Sequence, residues 1–180
     1  MRIAIFGGSF DPLHLAHVAI VQNALNKLDI DKLIVVPTYL NPFKSSFYLD
    51  PQTRFELLKK VFIKFEKVEV SNYEINQLAP SYSINTVNYL KDLYNPSKIY
   101  LIIGEDNMEN LEKWYKYDEL KKLVEFVIAS RAGFESKKAN EFKCLDINID
   151  ISSTQLREKI NLDYIPREIK DDILNLNKKR

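Results

Sequence analysis

The sequence predicts an α/β fold: an open, twisted parallel sheet of five to six strands, with helices on both faces and helices at the C-terminal end. Three observations predict it. Short apolar runs alternate with helix-like segments along the chain, the order that a parallel sheet produces. Several of those segments open with recognisable helix-start chemistry. Glycines stand at the ends of two strand-like runs, where open α/β sheets bring the chain close to ligands.

The strand-like runs are Arg2–Phe6, Lys32–Pro37, Val68–Ser71, Ile99–Gly104 and Glu125–Ser130, with a sixth within Lys143–Ile151. After the first run, a helix continues to Lys27. Asp50-Pro51 provides an N-cap and a proline at the first helical position, opening Gln52–Phe62. Ser83 to Thr86 begins a helix that ends near Tyr94, before Asn95-Pro96. Ser152 and Gln155 have capping-box spacing and open a helix through Ile160, and Pro166 starts a last one reaching Leu174. No repeat, low-complexity tract or linker interrupts the pattern, so residues 1–180 are expected to form a single domain.

Composition narrows the function classes. Lys and Arg number 26 against 25 Asp and Glu, a net charge of +1 that does not suit a nucleic-acid-binding surface. Cys144 is the single cysteine, which excludes an internal disulfide and a thiolate zinc cluster. The apolar start, Met1 to Phe6, stops at Gly7-Gly8, too short for a signal sequence or a membrane span. A cytoplasmic address with no membrane partner is the expectation. No segment is distinctive as a subunit interface, which leaves a homo-oligomer open.

The chemistry concentrates in Gly7-Gly8-Ser9-Phe10-Asp11-Pro12-Leu13-His14-Leu15-Ala16-His17. Two glycines at a strand end allow a sharp turn and close approach to a ligand. The helix that follows presents free N–H groups to an anion such as phosphate. His14 and His17, the chain's two histidines, are three residues apart and share one face of the first turn. A zinc site is not indicated: no His-Glu-x-x-His pattern or third nitrogen or sulfur ligand is nearby, although Asp11 could add an oxygen.

This segment resembles the signature of the nucleotidyltransferase superfamily, Gly-Gly-[Ser/Thr]-Phe-Asp-Pro-x-His-x-Gly-His, and departs from it only at Ala16, where glycine is usual. The resemblance implies a Rossmann-like nucleotidyltransferase domain and direct nucleotidyl transfer without a covalent enzyme intermediate. His14 and His17 would then donate hydrogen bonds to ATP phosphates, the electrostatic and positional catalysis typical of such transfers. Gly7, Gly8, Ser9 and Phe10 would form the ATP-binding loop.

Further segments fit the same resemblance. Lys44 ends a proline-rich loop after the second strand, as does the family's phosphate-reaching basic residue. Ile151-Ser152-Ser153-Thr154-x-x-Arg157 matches the family's C-terminal Ile-Ser-Ser-Thr-x-x-Arg motif, which binds ATP phosphates. Gly104-x-Asp106 occupies the place that meets the ATP ribose. His14, His17, Lys44 and Arg157 are therefore the expected catalytic residues. Mg²⁺ is expected with ATP rather than in a dedicated protein site.

The acceptor is suggested by Pro80-Ser81-Tyr82-Ser83-Ile84-Asn85-Thr86, similar to the Pro-Ser-Tyr-Thr-x-x-Thr segment of bacterial nicotinate-nucleotide adenylyltransferases. Ser83 replaces a threonine there. Glu74 keeps the upstream acidic position, while Gln77 replaces a common arginine. By that resemblance Trp114 stacks on a pyridine ring, backbone amides at Ser83 and Tyr115 hold its carboxylate, and Lys44 and Arg131 complete the acceptor site. Arg131-Ala132-Gly133 stands where Arg-Pro-Gly is frequent. The expected partners are ATP and nicotinate mononucleotide. The alternatives are nicotinamide mononucleotide or phosphopantetheine as acceptor, a catalytically inactive nucleotide sensor, and, with least support, an RNA-binding scaffold.

Overall fold

The computed structural model describes residues 1–40, 46–131 and 142–178, apart from the Arg131 side chain. Six strands form one sheet in the order β3-β2-β1-β4-β5-β6, every neighbouring pair parallel. They are β1 (Arg2–Gly8), β2 (Lys32–Pro37), β3 (Val68–Val70), β4 (Lys98–Gly104), β5 (Glu125–Arg131) and β6 (Lys143–Ile147). The helices are α1 (Leu15–Lys27), α2 (Pro51–Phe62), α3 (Tyr73–Asn76), α4 (Ser83–Tyr94), α5 (Tyr117–Leu123), α6 (Ser153–Glu158) and α7 (Lys170–Lys178).

Alternate residues of each central strand feed two separate cores, because side chains along a strand point to opposite faces. Ala4, Phe6, Leu33, Val35, Tyr100, Ile102 and Val127 share one core with Val21 and Ala24 of α1, Leu57 and Leu58 of α2, and Ile173 of α7. Ile3, Ile5, Ile34, Val36, Leu101, Ile103 and Ile128 lie on the other face with Ile84, Val87 and Leu90 of α4 and Leu120 of α5. Burial on both faces explains why the strands are nearly continuous apolar runs in sequence.

The boundaries moved by small, explicable amounts. β1 extends past Phe6 through Gly8, which pairs with Pro37. α6 ends at Glu158 rather than Ile160, because Lys159 is extended (φ −148°, ψ 110°). After Pro166 comes a 3-10 turn, Arg167–Ile169, and then α7, which runs past Leu174 to Lys178. Ion pairs from Lys60 to Asp172 (2.7 Å) and Lys64 to Glu168 (2.5 Å) fasten this C-terminal segment to α2. Sequence reasoning had not placed α3, α5 or a 3-10 helix at Glu105–Lys113.

The cap on α2 is as expected: the Thr53 amide donates to Asp50 Oδ1 at 2.9 Å. Asp50→Ala removes that acceptor and should destabilise the protein by about 1 kcal/mol. A urea titration showing a lower midpoint with an unchanged slope would verify it.

Candidate active site

In the sheet order, the chain goes from β1 to β2 on one side and later returns to β4 on the other. The crevice between β1 and β4 is therefore the topological switch point, where α/β proteins bind ligands beyond the strand carboxyl ends. The two glycine-bearing strand ends singled out in sequence are the ends of these adjacent strands. Phe6 pairs with Ile102, which places Gly7-Gly8 beside the β4 end at Gly104.

The glycines differ in what they permit. A Cβ on Gly8 would come within 3.0 Å of the Phe10 ring, and one on Gly104 within 2.4 Å of Asp106 Oδ1. Phe10 adopts a left-handed backbone (φ 47°) and is only 1% exposed. Its ring packs edge-on against Phe6 and His17, with centroids 5.3 and 4.9 Å away. The Phe10 ring is thus enclosed by its neighbours.

His14 is the N-cap residue of α1, and its ring stacks on that of His17 at 3.7 Å and 24°. The His14 backbone N–H points to His17 Nδ1 at 3.3 Å. In neutral His17 an accepting Nδ1 leaves the proton on Nε2, a donor. Burial, followed by the positive charge that His14 can carry, holds the His17 pKa well below the ordinary histidine value. His17 is accordingly a neutral donor at pH 7.

The C-terminal motif closes over the same loop. Arg157 Nη1 donates to the Asp11 carbonyl at 2.8 Å, and Nη2 to Thr154 Oγ1 at 2.9 Å. Ser153 Oγ donates to the Pro12 carbonyl at 3.1 Å. The predicted capping box is present, with the Gln155 amide donating to Ser152 Oγ at 3.2 Å and Ser152 N–H to Gln155 Oε1 at 2.7 Å. Ile151 is buried in the first core and anchors the motif.

Ser83 is the first residue of α4, directly after Tyr82. The Tyr82 and Tyr115 rings lie 4.6 Å apart, and both are about half exposed, so the segments bearing Ser83 and Tyr115 are brought together. Trp114 is partly buried against the second core. Arg131 is the last residue of β5, opposite Ile147. Lys44 and Ala132 lie outside the described residues.

Three features escaped sequence reasoning. Arg54 of α2 is 2% exposed and bonds to backbone carbonyls around the site; its spacing from Leu57, Leu58 and Val61, on the buried helix face, was the available signal. Both carboxylate oxygens of Asp11 accept backbone amides, from Tyr48 and Leu49, each at 2.7 Å. Glu74 is 5% exposed: Thr86 Oγ1 donates to Oε1 at 2.5 Å, whereas Oε2 has no partner among the described residues. Burial pushes the Glu74 carboxyl up to about 7.

No group of three or more His, Cys, Asp or Glu side chains among the described residues is arranged to hold a metal ion. No helix among them is long and apolar enough to cross a membrane.

The cytidylyltransferase-like family model matches residues 5–159, which takes in the glycine loop, the β4 end and the Ile151–Arg157 motif. The chain belongs to the cytidylyltransferase-like family. Among relatives of this cytidylyltransferase-like chain, a "Probable nicotinate-nucleotide adenylyltransferase" of Aliarcobacter butzleri is 70% identical over 178 residues, 99% of this chain and 98% of that protein. One of the same description from Nitratiruptor sp. is 47% identical over 174 residues, 97% of each chain. A solved structure, the Plasmodium falciparum nicotinic acid mononucleotide adenylyltransferase complexed with NaAD, superposes with a TM-score of 0.77. At 22% identity over 98% of this chain and 96% of that one, it establishes a shared fold.

Proposed function

We propose that this chain transfers the adenylyl group of ATP to nicotinate mononucleotide, giving nicotinate adenine dinucleotide (deamido-NAD) and pyrophosphate in NAD biosynthesis. The observation that carries this reading is the convergence of the Gly7–His17 loop and the Ile151–Arg157 motif at the β1/β4 switch point, joined by the 2.8 Å bond from Arg157 to the Asp11 carbonyl. The names of the relatives, which span nearly the whole chain, support the same acceptor.

The acceptor's phosphate oxygen attacks the α-phosphorus of ATP in line. One P–O bond forms as the bond to the bridging oxygen breaks, and pyrophosphate leaves with the electron pair. The nucleophile is already an anion and needs no strong base. The task of the protein is to align the reactants and stabilise charge moving toward the β- and γ-phosphates. In this reading His17 donates from Nε2, and His14, Lys44 and Arg157 complete the phosphate clamp. Gly104 and Asp106 meet the ribose. Trp114 supplies a π-surface for the pyridine ring, with backbone amides at Ser83 and Tyr115 for its carboxylate and Arg131 at the border of that site.

Mg²⁺ bound with ATP would neutralise part of the phosphate charge. Asp11 spends both carboxylate oxygens on backbone amides, so the ATP phosphates would hold the ion. The lone Cys144 suits a reducing cytoplasm.

Pyrophosphate release from Mg-ATP should be measured with nicotinate mononucleotide, nicotinamide mononucleotide and phosphopantetheine in parallel. The expected result is a clear preference for the nicotinate compound. Turnover with another acceptor alone would overturn the assignment of Ser83, Trp114 and Tyr115. ATP binding without turnover on any acceptor would favour a nucleotide sensor.

A further inference from the structure

A buried cation normally lies against a carboxylate, and Arg54 does not follow that pattern. Its guanidinium makes four hydrogen bonds, all to backbone carbonyls: Nε to Leu49 (3.0 Å), Nη1 to Ser9 (2.7 Å) and Thr38 (2.8 Å), and Nη2 to Tyr39 (2.8 Å). These carbonyls belong to separate stretches. Ser9 lies in the glycine loop after β1, Thr38 and Tyr39 directly follow β2, and Leu49 precedes α2. The opposite charge comes through space from Asp11 and Asp50. Asp11 itself is engaged with the Tyr48 and Leu49 amides, so it secures the approach to α2 against the glycine loop from the other direction. The Thr38 amide adds a third tie, to the Gly8 carbonyl at 3.0 Å.

The planarity of the peptide unit gives these bonds a consequence beyond cohesion. In a trans peptide the C=O and the following N–H point in opposite directions. A carbonyl drawn to Arg54 therefore turns the next residue's amide away from it. For Ser9, Thr38 and Tyr39 these amides are those of Phe10, Tyr39 and Leu40. No described residue accepts a hydrogen bond from any of them. Phe10 is also the residue with left-handed backbone in this loop, a conformation found in concave sets of N–H groups that bind anions.

We propose that Arg54 is a positioning residue for the transfer: by holding the Ser9, Thr38 and Tyr39 carbonyls, it fixes the Phe10, Tyr39 and Leu40 amides, turned away from its guanidinium, as a set of donors to substrate phosphate. The proposal rests on the adenylyl-transfer reading above. The planar fork is essential to it. A lysine would supply the charge but has one nitrogen, unable to reach carbonyls spread along the guanidinium edge. Donors set before the substrate arrives need no reorganisation during the reaction.

Two measurements test it. Arg54→Lys should lower kcat by roughly 10- to 100-fold in folded protein, the scale of a misplaced donor set, with a smaller change in the KM for nicotinate mononucleotide. A role confined to stability would lower the melting temperature and leave kcat per folded molecule intact, and that outcome would overturn the proposal. Because Arg54→Lys can fail to fold, the second measurement uses the wild-type chain: amide NMR during titration with Mg-ATP. Shifts at Phe10, Tyr39 and Leu40 alongside His17 support the inference. A shift at His17 with those three amides unmoved overturns it while leaving the functional reading intact; no shift at any of them overturns both.

Discussion

His17→Ala is expected to lower kcat by about 10² to 10³-fold, the cost of removing one preorganised donor from a developing negative charge. The KM for ATP should rise far less, because the leaving pyrophosphate gains its charge only as the bond breaks. The expectation follows from a chain of local constraints. His14 at the helix cap sends its backbone N–H toward Nδ1 of His17, which leaves Nε2 as the donor. Burial and the neighbouring His14 hold His17 neutral at pH 7, so it acts as a dipolar donor and not as a cation. The His17 contribution should consequently be present at pH 7 and 8 alike. Steady-state kinetics of wild type and variant at both values, with melting curves to confirm folding, test this. A variant within threefold of wild type in kcat would remove His17 from the transfer step.

The sheet was legible in sequence because its central strands are covered on both faces. Ile3-Ala4-Ile5-Phe6 and Lys32–Pro37 are apolar for that reason, and the alternation of such runs with helices fixes a parallel arrangement. Glu105–Lys113 was not legible: it is a polar 3-10 stretch that buries only Met108 and Leu111, too few residues to establish a period. The short α5 has no capping side chain at its start, where Lys116 adopts the left-handed conformation usually taken by glycine or asparagine (φ 55°).

The site divides along similar lines. Gly7-Gly8, His14, His17 and Ile151–Arg157 stand out in sequence because they match the resembled family's motifs, and the structure brings the two segments into contact. For Arg54 only helical phase marks burial, three, four and seven residues before Leu57, Leu58 and Val61. Its partners, Ser9, Thr38 and Tyr39, are backbone groups whose side-chain types say nothing about a carbonyl's direction. The Tyr82–Tyr115 contact joins segments separated by α4, β4 and a 3-10 helix, a proximity that no local pattern encodes.

Glu74→Gln should stabilise the protein relative to wild type by an amount that grows as pH rises. Burial raises the Glu74 carboxyl from its ordinary 4.5 to about 7, although the hydrogen bond from Thr86 opposes the shift. A carboxyl with a raised folded-state pKa contributes stability that is complete below about pH 4.5 and lost as pH rises to about 7. Above that, keeping it ionised in the fold costs roughly 3 kcal/mol. No described residue relieves this cost at the second oxygen, since Glu74 Oε2 has no partner among the described residues. Gln at position 74 keeps an acceptor for Thr86 and removes the charge; any cost of its buried amide is the same at every pH. Urea unfolding of both proteins at pH 5, 6, 7 and 8 isolates the linked part, since His17 and the other titrating groups are common to both and cancel. The stability gap should widen by about 2–3 kcal/mol between pH 5 and 8. A gap that stays constant across that range would mean that Glu74 ionises as freely in the folded chain as in the unfolded one, and that water or a cation reaches Oε2.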